Sequence, residues 1–291
     1  MKQKHYTIKD FERDFPDDAS CLEWLKNNRW PDGIHCEKCQ RITKHHKVTN
    51  RAAYACDFCG NHVYPMAGTI LEKTTTSLKL WFYAMYLMAS TRCGISAKQL
   101  QRETGVTYKT AWRVFNQVRS MLGDNGDLEG SSVEIDETYI GGKRHGKRGR
   151  GAEGKAIVVG AAERKGRVLT EKVPDVKART LVPFVEKSVV PNSVVYTDDL
   201  PSYDSLGRRG FDHKRIPHSA KVYVIGDIHT NTIEGFWSLV KRGINGVYHA
   251  VSDKYLQDYI NEYSFRYNRR ENGGAMFEAF LCRMVASGQD G

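Results

Sequence analysis

The clearest hydrophobic pattern in this chain lies at residues 229–243, HTNTIEGFWSLVKRG. Its apolar residues recur at i, i+3, i+4 and i+7: Ile233, Phe236, Trp237 and Val240. This spacing predicts an amphipathic helix whose apolar stripe faces a core. A polar stripe runs beside it: Asn231, Glu234, Ser238 and Lys241. Asn231 followed by Glu234 also fits a capping box, so the pattern alone allows these two side chains either to cap the helix or to carry chemistry.

A different pattern precedes this helix. Apolar and acidic residues alternate in SVEIDETYIGG, 132–142, which predicts a half-buried strand. The segments that follow predict, in order, a hairpin of two strands, a helix and a short buried strand: 155–173, 177–189 and 193–203. This order of elements, closed by the 229–243 helix, predicts an α/β domain with a mixed sheet, which we place at residues 131–285.

Acidic side chains stand at the ends of two of these strands and on the helix. In a mixed sheet, chemistry gathers where buried strands release polar residues near helix ends. Asp136 on the first strand and Asp198 at the end of a later one are therefore candidates to lie side by side. A carboxylate on the 229–243 helix would complete an oxygen cage for a divalent metal ion. Magnesium favours a few carboxylates with water and phosphate oxygens, and two such ions serve phosphoryl transfer.

Two CxxC pairs, CEKC at 36–39 and CDFC at 56–59, lie in the N-terminal third. Each pair predicts a tight turn whose amides point at the sulfurs, and two such turns complete a tetrahedral site of four thiolates. The expected ligands are the four cysteines Cys36, Cys39, Cys56 and Cys59. Structural zinc suits this site best and iron is the alternative. Gly60 fits a turn position with positive φ. The stretch between the pairs, 40–55, is basic with alternating apolar residues and predicts a short ribbon of strands. We place the N-terminal segment with this zinc ribbon at 1–70.

A helical region follows the ribbon. Residues 77–94 predict one core helix, and residues 96–122 predict a helix, a turn at Gly105 and a second helix, as in a helix-turn-helix. The second helix carries side chains suited to groove and phosphate contacts: Tyr108, Lys109, Arg113, Gln117 and Arg119. We place this DNA-binding region at 71–125, and a plain helical hairpin is the alternative.

Charge and composition narrow the class of partner. The net charge of +10 and the pI near 9.2 favour a polyanionic binding partner. Nucleic acid is the first candidate and an anionic membrane is the second. The longest apolar run, 80–89, is too short to span a bilayer, and the N-terminus has no apolar run of a secretory signal. Seven cysteines without such a signal indicate a reducing compartment, so we expect a cytoplasmic protein.

The segment 141–155, GGKRHGKRGRGAEGK, is strongly basic and has no apolar residue before Ala152. We expect a mobile loop that holds backbone phosphates without sequence preference, through side chains that include Lys143, Arg144 and Arg148.

Four segments together resemble a known family: VEIDETYIGGK, VYTDDLPSY, HTNTIEGFWSLVKRGINGVYH and YINEYSFRYNRR. Thirty-five residues separate Asp198 from Glu234, and Lys241 follows Glu234 by seven. In these features the chain resembles the DDE transposase and retroviral-integrase superfamily. More narrowly, it resembles bacterial insertion-sequence transposases that carry an N-terminal zinc ribbon and an ISXO2-like transposase domain. The resemblance spans roughly residues 20–285.

The resemblance implies a ribonuclease-H-like catalytic domain in which Asp136, Asp198 and Glu234 bind Mg²⁺ or Mn²⁺. Lys241 then lies about 10 Å along the same helix face, placed to hold DNA phosphate. The implied reaction is cleavage of DNA by water, followed by attack of the freed 3′-OH on target DNA. The implied partners are double-stranded DNA, as transposon terminal inverted repeats and target, and further copies of the chain in a dimer or larger assembly. The implied location is the bacterial cytoplasm, associated with the nucleoid.

Alternatives remain at the third ligand and for the function. Some relatives are thought to use asparagine there, so Asn231 is the alternative to Glu234, although its spacing to Asp198 and Lys241 fits less well. His229 is either structural or a contact to phosphate or metal. The alternative functions are a non-catalytic DNA-binding regulator derived from a transposase, and a ribonuclease-H-like nuclease that does not join ends.

Overall fold

The structure is a computed structural model that describes residues 5–141, 155–216, 229–271 and 275–286. These residues divide into two compact units. We call residues 5–121 together with 275–286 the ribbon unit, and the described residues of 122–271 the sheet unit.

The ribbon unit begins with two short helices and five short strands: α1 Ile8–Asp14, α2 Asp18–Arg29, β1 Ile34–Cys36, β2 Arg41–Thr43, β3 His45–Lys47, β4 Tyr54–Cys56 and β5 His62–Val63. β1 and β2 form an antiparallel pair, and β3, β4 and β5 form an antiparallel sheet in that order. The short ribbon of strands predicted around the cysteine pairs is confirmed.

Three helices follow the ribbon: α3 Leu78–Ser90, α4 Ala97–Thr104 and α5 Tyr108–Ser120. The stretch predicted as one core helix is α3, whose Trp81 and Phe82 are fully buried. Gly105 ends α4 with φ of 72°, a left-handed conformation that glycine adopts without strain, and the chain turns there into α5. The predicted order of helix, turn and helix is therefore present.

The helix Met276–Ala286 belongs to the ribbon unit, although we had placed residues 275–285 with the α/β domain. Its Phe277 ring lies 6.0 Å from the rings of Phe11 and Phe15 and 5.8 Å from that of Tyr86. The same aromatic cluster joins α1 to α3, so the two N-terminal segments that we had separated at residue 70 share one core. Sequence order hides this arrangement because the last helix packs against helices from the start of the chain.

The sheet unit holds a five-stranded mixed sheet and three α-helices: β6 Ser132–Ile140, β7 Ala156–Glu163, β8 Val168–Val173, α6 Ala178–Ser188, β9 Val194–Thr197, β10 Asp212–Arg215, α7 Asn231–Gly243 and α8 Leu256–Asn268. The strand order is β10-β9-β6-β7-β8. β7 pairs antiparallel with both β6 and β8, whereas β9 pairs parallel with β6 and β10 pairs parallel with β9. The predicted mixed sheet is confirmed, and β10 was not predicted because its sequence, DHKR, has no apolar residue.

β6 lies at the centre of this sheet and is covered on both faces. Val133 and Ile135 belong to the core that includes α6, whereas Ile140 belongs to the core that includes α7 and α8. The prediction of a half-buried strand is therefore wrong: Glu134, expected at a solvent face, has no exposed surface. The predicted apolar stripe of α7 is confirmed, because all four of its residues are buried.

A glycine sets the close approach of α7 to the sheet. Gly160 on β7 pairs with Asp136 on β6. A Cβ atom at this position would lie 2.6 Å from Trp237 and 2.9 Å from Ile233 on α7. Helix α7 therefore packs beside Asp136 at a distance that only glycine permits.

Gly160→Ala is expected to lower the free energy of unfolding by about 1–3 kcal/mol, because a buried ring on α7 must shift away from the strand. Chemical denaturation measures the change. Gly207→Ala is the matched control, since nothing lies within 4 Å of a Cβ atom there. Equal stability of the two variants would contradict the close approach of α7.

No helix among the described residues is long and apolar enough to cross a membrane.

Candidate active site and metal centre

Four cysteine sulfurs converge in the ribbon. Cys36 Sγ lies 3.5 Å from Cys59 Sγ, and Cys39 Sγ lies 3.8 Å from Cys56 Sγ. All four sulfurs are within 4.8 Å of one another. A tetrahedral zinc ion with Zn–S bonds of about 2.3 Å holds its sulfurs about 3.8 Å apart. The cluster therefore fits the ion that the sequence predicts.

Each CxxC pair is closed by a residue with positive φ. Gly60 has φ of 69°, as predicted, and Gln40 takes the same place after the first pair with φ of 52°. The Gly60 amide donates to the Cys56 carbonyl at 2.9 Å, and the Gln40 amide donates to the Cys36 carbonyl at 2.8 Å. The two turns are thus equivalent, although no glycine marks the first one in the sequence.

The thiols of this cluster depart from ordinary thiol behaviour. A hydrogen bond with the Thr43 hydroxyl, helped by the amides of Cys59 and Phe58, lowers the pKa of Cys56 to about 6. Hydrogen bonding to the Cys59 thiol, together with desolvation, raises the pKa of Cys39 to about 12. A bound dication would displace the protons of these thiols, because a metal ion binds the thiolate form.

The register of β6 and β9 brings two predicted metal ligands to neighbouring positions. Glu134 pairs with Tyr196 in parallel, and continuing the register by two residues sets Asp136 beside Asp198, just after β9 ends. Asp136 lies on the same face of β6 as Glu134, because side chains two residues apart on a strand share a face. One oxygen of Asp198 accepts the amide N–H of Leu200 at 2.9 Å.

A cleft of about 720 Å³ is lined by residues of β6 and α7. Asp136 and Glu234 both line it, and Lys241 and Arg242 line it two turns further along the helix. The remaining lining residues are Glu137, Thr138, Trp237, Ser238, Asn245 and Gly246. Glu234 is exposed and accepts a hydrogen bond from the Thr230 hydroxyl at 2.9 Å. The cleft thus combines acidic groups at one end with basic groups at the other.

Asp136 is electrostatically strained. Burial, reinforced by the neighbouring carboxylates of Glu137, Asp198 and Glu234, raises the pKa of Asp136 from 3.8 to about 7. A carboxyl group in this setting is relieved by a proton or by a bound cation. Among the described residues, the four cysteines converge as a possible metal-binding group, whereas Asp136, Asp198 and Glu234 do not.

The N-terminus of α7 is capped by a residue from the sheet. Asn231, which the pattern allowed as a cap, is the first residue of the helix and does not cap it. The N-cap residue is Thr230, and its side chain makes no capping hydrogen bond. Instead, the buried carboxylate of Glu134 accepts the amide N–H of Thr232 at 2.7 Å and that of Ile233 at 3.1 Å. A carboxylate at this end of a helix satisfies orphan amides and opposes the positive end of the helix dipole.

Three further groups surround Glu134. Arg164 donates to it through Nε at 2.9 Å, and the Thr232 hydroxyl donates at 3.0 Å. His229 Nδ1 lies 3.1 Å from the same carboxylate. His229 therefore lies beside Glu134, although its Nδ1 atom makes no hydrogen bond there, and it is not among the residues that line the cleft.

The sequence reasoning missed Glu134, Glu137 and Arg242. Glu137 is buried on the opposite face of β6, where it accepts a hydrogen bond from the Tyr203 hydroxyl at 3.1 Å. One signal in the sequence was the presence of three acidic residues in a single predicted strand. At the centre of a mixed sheet such residues are buried, and buried acids require partners.

The predicted DNA-binding residues lie in different surroundings. Lys241 and Lys109 are exposed. Arg113 is half-buried and donates to the Thr76 hydroxyl at 2.7 Å, with its guanidinium 5.7 Å from the Trp81 ring. Part of its hydrogen-bonding capacity is therefore used within the ribbon unit.

Arg119 was predicted to face DNA from α5, but it is only 2% exposed and its guanidinium lies 5.5 Å from the Phe115 ring. That prediction is wrong, because this position of the helix faces the core. Lys143, Arg144 and Arg148 lie outside the described residues.

Two family models match this chain. A transposase zinc-ribbon domain matches residues 16–62, and an ISXO2-like transposase domain matches residues 127–268. The chain is 29% identical over 275 residues to an uncharacterized protein in transposable element ISH50 of Halobacterium salinarum, covering 87% of this chain and 91% of that protein. It is 35% identical over 107 residues to an uncharacterized transposase-like protein of Haemophilus influenzae, covering 37% of this chain and 85% of that protein.

Among solved structures, a chain of the crystal structure of a pre-cleavage Mos1 transpososome aligns with a TM-score of 0.25 at 12% identity, covering 71% of this chain and 78% of that chain. A likeness of this size assigns no property to the present chain.

The two matching models assign the chain to the class of transposases that carry an N-terminal zinc-ribbon domain. Within that class, the chain belongs to the family that carries the ISXO2-like transposase domain, as the sequence motifs predict.

Proposed function

We propose that this protein is a transposase that cuts the ends of its insertion sequence and joins the freed 3′-OH ends to target DNA. The observation that carries the proposal is the meeting of Asp136 and Glu234 in a cleft with Lys241 and Arg242. Asp198 interacts electrostatically with this pair, since its charge helps to raise the pKa of Asp136. Three carboxylates from separate parts of the chain thus act on one another beside a basic surface.

Asp136, Asp198 and Glu234 are the residues that would hold Mg²⁺ or Mn²⁺. Carboxylate oxygens suit these ions, and the mutual repulsion at Asp136 favours uptake of a cation. A bound pair of such ions would activate the attacking oxygen and stabilise the leaving oxygen in both cleavage and joining. The mixed sheet, with three antiparallel strands followed by strands parallel to the first, supports a ribonuclease-H-like domain, within which we place residues 131–271.

The basic residues are assigned to DNA. Lys241 and Arg242 lie along α7 from the carboxylates, so they are suited to hold the phosphates on either side of the cut bond. Exposed Lys109, at the start of α5, is suited to contact terminal-repeat DNA in a helix-turn-helix arrangement. Lys143, Arg144 and Arg148 add phosphate contacts, and the assembly on paired DNA ends is a dimer or larger. The ribbon's four cysteines bind a structural zinc ion.

Glu234→Gln is expected to abolish metal-dependent cleavage of terminal-repeat DNA, because the amide no longer supplies an anionic ligand, whereas Asn231→Ala retains it. The two side chains are both exposed and lie within the first turn of α7, so they form a matched pair. Cleavage is measured on labelled DNA in Mg²⁺ and Mn²⁺, with DNA affinity measured separately. Loss of cleavage in Asn231→Ala alone would assign the third ligand to asparagine.

The same assay separates the alternative functions. A wild-type chain that binds terminal repeats without cutting them would indicate a regulator. A chain that cuts RNA–DNA hybrids or junctions but joins no ends would indicate a nuclease. Cleavage followed by joining to target DNA supports the proposal.

A further inference from the structure

We propose that Glu134 is a positioning residue for the active site: it ties the first turn of α7 to β6 and thereby sets Glu234 relative to Asp136. The inference rests on the proposed function, because it assigns Glu134 to the support of the metal-binding carboxylates. Glu134 touches none of the reacting groups and instead acts through the helix that it holds.

The contacts of Glu134 leave its carboxylate no free side. The side chain has no exposed surface, and both oxygens accept hydrogen bonds. One oxygen accepts the amides of Thr232 and Ile233, and the other accepts the Thr232 hydroxyl and Arg164 Nε. Charge-assisted hydrogen bonds of this kind are short and directional. The carboxylate therefore fixes both the distance of the first turn of α7 from β6 and the rotation of the helix about its axis.

The same network reaches the other strand of the site. Arg164 also donates to the His229 carbonyl at 3.0 Å, and its guanidinium lies 4.1 Å from the Tyr196 ring on β9. Glu134, Arg164 and Tyr196 thus join β6, β7 and β9 beneath the start of α7.

Three residues that this network joins, Glu134, Tyr196 and Ile233, stand one or two positions before a proposed metal ligand. Asp136 follows Glu134 by two residues on β6, and Asp198 follows Tyr196 by two residues at the end of β9. Glu234 directly follows Ile233, whose amide is bound by Glu134. One buried carboxylate is therefore coupled to all three elements that carry the site, at a distance of one or two residues from each ligand.

A glutamine in place of Glu134 keeps the size of the side chain but not its acceptors. One oxygen becomes an amino group that must face donors, either the α7 amides or Arg164 and the Thr232 hydroxyl. The helix start is then released or the arginine is left unpaired. Thr232→Val is the milder second variant, because it removes one hydrogen bond to Glu134 and leaves the backbone bonds.

The test combines amide hydrogen exchange of the intact chain with metal dependence. In Glu134→Gln, the amides of residues 232–234 are expected to exchange at least about tenfold faster. The Mn²⁺ concentration for half-maximal cleavage is expected to rise about 10–100-fold, the usual effect of removing a support of metal ligands. High Mn²⁺ restores cleavage, DNA affinity stays within about twofold, and Thr232→Val shifts both readouts less in the same direction.

Glu163→Gln is the matched control. Its carboxylate also holds backbone amides, those of Gly130 and Arg167 at 2.8 and 2.9 Å, but none of them is in α7. Both readouts are expected to match wild type in this variant. A loss of activity in Glu134→Gln that high Mn²⁺ does not restore, or an unchanged exchange rate in α7, overturns the inference.

The experiments distinguish failure of this inference from failure of the proposed function. If the wild-type chain cuts no DNA in Mg²⁺ or Mn²⁺, the proposed function fails. Calorimetric titration with Mn²⁺, with the ribbon zinc site already filled, then decides the inference. Weaker binding by about tenfold in Glu134→Gln supports it, and equal binding overturns it.

Discussion

Asp136→Asn is expected to abolish metal-dependent DNA cleavage. At the same time, it is expected to make the protein more stable when no Mg²⁺ or Mn²⁺ is bound. Cleavage should fall at least about a thousandfold, because a lost metal ligand removes several kcal/mol of stabilisation from the transition state. Stability should rise because the variant removes a half-buried carboxylate that lies close to three others. The two opposite effects distinguish a functional carboxylate from one that merely supports the fold.

The stability gain depends on pH in a defined direction. The pKa of Asp136 is about 7 in the folded protein against 3.8 for an ordinary aspartate, so the folded state loses stability as pH rises from about 4 to about 7. The advantage of Asp136→Asn is therefore greatest at pH 8, smaller at pH 5, and absent below about pH 4. Its upper limit is about 4 kcal/mol, at about 1.4 kcal/mol for each pH unit of the shift.

Thermal unfolding of the zinc-loaded chain at pH 5 and pH 8, without added Mg²⁺ or Mn²⁺, measures this effect. Asp212→Asn is the control, since this aspartate lies on β10 with its side chain 57% exposed, outside the group of carboxylates around Asp136. Adding Mg²⁺ or Mn²⁺ should stabilise wild type and leave Asp136→Asn unchanged. A variant that cuts DNA as wild type does would remove Asp136 from the active site.

The second large effect is expected in the ribbon. Removing the metal, or changing Cys56 to serine, should unfold residues 34–63, because short strands alone cannot supply a core. A structural zinc ion contributes about 10–16 kcal/mol to domains of this kind. Amide exchange of the ribbon and elemental analysis measure the effect, with one zinc ion per chain expected in wild type.

Cys93→Ser is the matched control, because Cys93 is an exposed thiol outside the four-cysteine cluster. It should keep the metal and the ribbon. Iron in place of zinc would correct the identity of the ion, whereas a folded ribbon in a metal-free Cys56→Ser chain would contradict the structural role.

Several parts of the site followed from local patterns. The cysteine pairs specified a tetrahedral cluster, because two CxxC turns constrain the sulfurs over short stretches of chain. The stripe of α7 specified which side of the helix is buried, and therefore which side can carry Glu234 and Lys241. The helix, turn and helix around Gly105 followed from a residue that adopts positive φ without strain.

Other parts depended on contacts between distant segments. Arg119 lies on the helix predicted to face DNA, but packing within the ribbon unit buries it. Asn231 has the composition of a cap, yet the cap of α7 comes from Glu134, ninety-seven residues earlier in the chain. A local pattern cannot identify a partner that is brought to a helix by a neighbouring strand.

The sequence by itself determined the zinc ribbon, the mixed sheet and the face of α7, because turn residues, hydrophobic periodicity and motif spacing act within a few residues of each other. Only the tertiary structure decided that β6 is covered on both faces and that Glu134 is buried beneath α7. It also decided that Asp136 lies in a field of carboxylates that raises its pKa. These features arise when strand pairing and helix packing remove water from groups that are far apart in the chain. Burial of this kind follows no repeating pattern in the sequence, so a local pattern does not predict it.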